Sequence, residues 1–137
     1  MTYFKQKFGA AFIKLLPIAL VIMAGSAWAE DGTILSAEEL EALIKGATRA
    51  GKYSGGTYYL TFQDDGSYCL RVDSKEANCV EKGPWWFEGN TVCRKSDGSG
   101  EYCWNVTKLA DNQFRSEITR VKGSNLKVGR KREFWME

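Results

Sequence analysis

From Tyr58 to the end of the chain, bulky and polar residues alternate in short runs separated by turn-forming segments. "TYYLTF" and "SYCLRV" flank "QDDG", "PWWFEGNTVCRK" folds back at Glu88–Asn90, and "SDGSG", "ADNQ" and "KGSN" divide the remainder up to "LKVGRKREFWM". Alternation of period two sends successive side chains to opposite faces of a sheet. Asp65-Gly66 is a hairpin signal because glycine tolerates positive φ. The pattern predicts an antiparallel meander of six to eight strands. Closing it into a small barrel would remove its exposed edges.

One helix is expected ahead of this sheet. In "LSAEELEALIKGATRAG", Ser36 stands three residues before Glu39, the spacing of a capping box, with Leu35 and Leu40 in the staple positions. Leu40, Leu43, Ile44 and Ala47 then form one apolar stripe at helical spacing. Gly46 or Gly51 ends the helix, which lies across the sheet or plugs the end of a barrel. The fold class is mostly β: an N-terminal helix and a meander, as one domain over residues 30–137.

Residues 1–29 read as a signal peptide. Lys5 and Lys7 precede the run "LLPIALVIMAG", which is shorter than the roughly 20 residues of a membrane span. Ala27 and Ala29 occupy the small-residue positions of a cleavage site. The leader holds three of the 19 basic residues and no acid, so the remainder carries 16 against 17 acidic residues. A net charge near −1 argues against nucleic acid as a partner, since phosphate binding needs a concentrated cationic surface. No later segment is long and apolar enough to span a membrane. The expected location is periplasmic or secreted.

An exported chain with four cysteines is expected to form disulfides. Cys69 and Cys79, and likewise Cys93 and Cys103, are separated by nine residues. This spacing favours two hairpins, each stapled internally. Zinc would call for closer pairs or histidine partners, and the chain has no histidine. In the second hairpin, alternation puts Val92, Tyr102, Trp104 and Val106 on one face. Cys93 shares the other with Thr91, Lys95, Asn105 and Thr107, and Lys95 falls opposite Glu101.

Catalysis has little to draw on. Without histidine there is no imidazole base and no Ser-His-Asp or Cys-His arrangement, and bridged cysteines offer no thiol nucleophile. "QDDGSY" and "SDGSG" read as turns. The chain is therefore read as non-enzymatic, with no metal and no cofactor. Consecutive Trp85 and Trp86 must face opposite ways in a strand, one to the core and one outward. "KVGRKREFW" ends the chain with cations interleaved with aromatics, which protect an edge strand or meet an anionic surface.

The order of "LSAEELEALIKG", "GGTYYLTFQDDGSY", "GPWWFEGNTVC" and "EYCWNV" resembles short exported proteobacterial proteins grouped as a domain of unknown function. The resemblance covers residues 35–107, and the Cys69–Cys79 pair departs from it. It implies bacterial export and a small β domain, and it carries no activity or site. The function expected from these readings is recognition of a protein or envelope component, inhibition of a hydrolase being one form. Trp85, Trp86 and Tyr68 would supply contact area, and Arg71 and Arg132 would orient an anionic group. The alternative is a small barrel carrying a hydrophobic ligand. It requires an interior volume of roughly 300 Å³ or more, whereas the bulky groups of "TYYLTF", "PWWF" and "EYCW" predict a mostly filled interior.

Overall fold

Ser36 opens the helix α1 (Ala37–Ile44) as expected, its hydroxyl accepting from the Glu39 amide at 3.3 Å. That bond satisfies one of the donors a first turn leaves unpaired. The structure, a computed structural model, describes residues 32–96, 98 and 100–137; the leader expected at residues 1–29 lies outside them. Of the two expected stops, the nearer is used: the helix ends at Ile44, and Gly46 turns the chain at φ 71°.

A strand follows at once where the sequence pattern indicated none. This is β1 (Thr48–Tyr53), succeeded by β2 (Gly56–Phe62), β3 (Ser67–Val72), β4 (Glu81–Glu88) and β5 (Thr91–Ser96). The longer β6 (Gly100–Ala110) and β7 (Gln113–Lys122) come next, and β8 (Lys131–Met136) ends the series. Each strand pairs antiparallel with its neighbour in sequence, and β1 pairs with β8, so the eight strands close into a barrel. The closing seam is the shortest ladder, with Arg49 opposite Met136 and Ala50 opposite Trp135. The Glu137 amide extends it by donating to the Thr48 carbonyl at 2.9 Å.

Two local features shape the wall. β4 changes partner along its length: Glu81–Pro84 pair with β3, and Trp85–Glu88 pair with β5. Pro84 stands at the switch, where a residue lacking an N–H is best tolerated. β6 extends past the start of β5, and residues 32–35 cover its free edge, with the Leu35 amide donating to the Val106 carbonyl at 2.8 Å.

Both disulfides form as the spacing indicates, Cys69–Cys79 and Cys93–Cys103. They do different work. Cys93 and Cys103 sit directly opposite each other in the β5–β6 ladder. Cys79 lies outside any strand, so its bond ties the β3–β4 connection to the outer wall at Cys69 rather than stapling a ladder. A ring of this size contributes about 3 kcal/mol, largely by restricting the unfolded chain.

Candidate functional site

The antiparallel order gives the barrel two unlike ends. α1, the β2–β3 turn at Gln63–Gly66 and the β6–β7 turn at Asp111–Asn112 gather at one. The β1–β2 turn, the β3–β4 connection and the β7–β8 segment lie at the other. At the first end Leu40 and Ile44 of α1 are fully buried and share one core cluster with Phe62, Val92, Val106 and Phe114. Trp85 completes this packing edge-on to Phe62, ring centroids 5.3 Å apart. Its indole N–H reaches the Gln63 carbonyl at 2.9 Å. The helix is a plug that fills most of this half, leaving a smaller pocket of about 180 Å³ beside it between Leu35, Leu43, Phe114 and Met136.

The other half holds a cavity of about 320 Å³. Tyr58, Leu60, Leu70, Val72, Trp104 and Ile118 supply its aromatic and aliphatic walls. The expectation of a mostly filled interior thus holds for the plugged half only. The reason is what occupies the inward positions around the cavity. Arg49, Arg94 and Arg132 stand there in place of hydrophobes, joined at the rim by Arg130, and among the described residues no carboxylate lines the space. Like-charged guanidinium groups repel and cannot pack against one another as aliphatic side chains do.

Arg49 stands out among the described residues. It is only 7% exposed, yet no carboxylate among the described residues lies within ion-pairing distance. Its Nη2 is 3.5 Å from the Tyr58 hydroxyl, and its Nε and Nη1 have no hydrogen-bond partner. Aromatic faces surround it instead: the guanidinium carbon is 4.6 Å from the Phe134 ring centroid and 5.4 Å from that of Trp104. Such contacts favour the cation but accept no hydrogen bond in the guanidinium plane. Each open buried donor costs about 1–3 kcal/mol. Burial pulls the Arg49 pKa below its ordinary value, opposed by Tyr58 and Tyr102 and assisted by the like charges of Arg94 and Arg132.

Arg94 is better served. Its Nε donates to the Tyr102 hydroxyl at 2.5 Å, and its Nη1 lies 3.7 Å from Glu81 Oε1. The same Glu81 oxygen accepts from the Tyr68 hydroxyl at 2.7 Å. Burial, and then this bond, push the Tyr68 phenol well above its usual pKa. The Nη1 of Arg94 and the indole N–H of Trp104 have no hydrogen-bond partner. With Nε and Nη1 of Arg49, residues lining the cavity thus carry several buried donors without hydrogen bonds, of which only Arg94 Nη1 has an ion-pair partner.

The residues expected to form a contact face do not come together. Trp85 and Tyr68 are interior, 8% and 1% exposed. Trp86 faces outward on the side of Cys93, and its indole N–H donates to Glu88 at 3.1 Å. Arg71, also outward, is held by the Ala77 carbonyl at 3.0 Å. Arg132 alone of the five borders the cavity. Sequence reasoning passed over Arg49 because "TRAGKY" lacks an apolar alternation and adjoins an ambiguous helix end. Gly51 held the available clue: it faces inward beside Arg49, and a Cβ there would collide with the Tyr58 ring.

A second cluster brings Glu88 close to Cys93 and Cys103. Those sulfurs are bonded to each other and offer no thiolate, and Arg120 already meets Glu88 at 2.8 Å. Among the described residues no helix is long and apolar enough to cross a membrane.

These features define an up-and-down antiparallel barrel of eight strands, plugged by a helix at one end and holding an arginine-lined cavity at the other. No protein-family model, curated protein or solved structure matches the chain at a significant level.

Proposed function

We propose that this protein is an exported, non-enzymatic barrel that holds one small ligand with substantial apolar surface in its mouth-side cavity. The observation that carries the reading is the cavity itself, about 320 Å³ between aromatic and aliphatic walls. That volume falls at the lower end of the range typical of small-molecule sites. An eight-stranded barrel is wide enough either to fill with side chains or to hold one such molecule. Here the plugged half does the first and the mouth half does the second. Two disulfides support residence in an oxidising compartment, the bacterial periplasm or the exterior.

Native mass spectrometry of the oxidised protein recovered from cell envelope tests the proposal. A retained molecule of matching mass, displaced when Leu70→Trp fills the cavity, is the expected result. An empty protein that also leaves the fluorescence of an added apolar dye unchanged would overturn it. Recovery of a protein partner whose binding is lost with Trp86→Ala would favour the exterior aromatic face instead.

A further inference from the structure

The cavity's donors specify the chemistry of its occupant, on the reading that it holds a small ligand. Three buried N–H-bearing atoms of residues lining it lack any partner: Nε and Nη1 of Arg49 and Nε1 of Trp104, while Nη1 of Arg94, without a hydrogen bond, is ion-paired with Glu81. All are donors. A hydrocarbon would leave them all unpaired, and a neutral alcohol would answer one or two. An anionic head group presents several acceptor sites and a charge, and arginine pairs with carboxylate or phosphate through two parallel bonds. We infer that the ligand is an amphipathic anion, a hydrocarbon or aromatic body ending in a carboxylate or phosphate, held with its anionic head on Arg49.

The orientation follows from burial. Arg130 and Arg132 at the rim are exposed and hydrated, so pairing there is screened and adds little. Arg49 at the floor is shielded from water and surrounded by ring faces that supply no in-plane acceptor. The head therefore travels inward, and the body lies along Leu70, Val72, Ile118 and Leu126 toward the mouth. The Tyr58 hydroxyl, beside Arg49 Nη2, provides a further donor to the head. The rim arginines draw the anion in from solution, as a cleft lined by one sign of charge does. Among the described residues no internal carboxylate competes for Arg49, because Glu81 is engaged by Arg94 and Tyr68.

A head-group series at constant chain length tests this, with dodecanoate, dodecyl phosphate and dodecanol titrated calorimetrically into the oxidised protein. At least one anion should bind about tenfold or more tightly than dodecanol; whichever anion is stronger identifies the head. Arg49→Met should abolish that preference, bringing the three probes within about threefold of one another while dodecanol is little changed. Equal binding of all three to the unaltered protein would overturn the inference and leave the ligand-holding cavity standing. Failure of all three to bind would overturn both. Preference retained in Arg49→Met would overturn the assignment of the head to Arg49. If that variant does not fold, the series on the unaltered protein still decides, with Arg132→Gln expected to slow association and keep the preference.

Discussion

The plugged half and the mouth half of this barrel share one backbone pattern and differ in what fills it. Around α1 the inward positions hold Phe62, Trp85, Val92, Val106 and Phe114, and two helix residues seal the end. Toward the mouth the same strands turn Arg94, Tyr102 and Arg132 inward, and a cavity of about 320 Å³ results. The difference teaches that alternation specifies a wall, whereas the identity of the inward residues decides between a core and a container. The filled half carries stability, and the arginine half gives some of it up.

The sharpest way to break this contrast is to shorten one leucine in each half and compare chemical denaturation. Leu40→Ala opens a void in a closely packed plug and should cost about 2–5 kcal/mol. Leu70→Ala enlarges a space that already exists, so its penalty should be nearer 1 kcal/mol, little beyond the lost transfer term. Equal penalties would mean that the two halves are packed alike. The disulfides sharpen the comparison next. Opening either ring, as Cys93→Ser with Cys103→Ser or Cys69→Ser with Cys79→Ser, should cost about 3 kcal/mol, since both span the same length of chain. The second pair ties a connection that lies outside the ladders at the mouth, whereas the first is backed by strand pairing, so the second variant should weaken dodecanoate binding more. The smallest effect is expected at the cavity floor. With no ligand bound, Arg49→Met should leave stability unchanged or raise it by about 1 kcal/mol, because it removes an unpaired buried charge. A loss larger than about 2 kcal/mol would mean that the aromatic rings already compensate that charge.

Much of the wall was legible because its causes are local. Val92, Tyr102, Trp104 and Val106 could be assigned to one face by parity, and Cys93 does lie opposite Cys103 with Lys95 opposite Glu101. The charge pairing was not legible. Glu101 binds Arg120 at 3.3 Å, a residue of β7 that the hairpin alone could not place. "LKVGRKREFWM" read as a single strand, but Gly129 turns at φ 89° and β8 begins only at Lys131. That leaves Leu126 and Arg130 to border the cavity. Parity also required one of Trp85 and Trp86 to face inward without saying which. The choice of Trp85 belongs to closure, which brings Phe62 and the Gln63 carbonyl to its ring.

The sequence by itself determined the capped helix, the turns, the alternation and the sulfur pairing, because each depends on residues within about a dozen positions of one another. Only the tertiary structure decided that β1 exists as a strand and joins β8, and that Arg49 ends in the interior with none of the described acids beside it. Those outcomes depend on which distant strands become neighbours when a sheet closes, and no local pattern encodes that. The cavity has the same origin: it is the space left where inward arginines from β1, β5 and β8 converge and cannot pack.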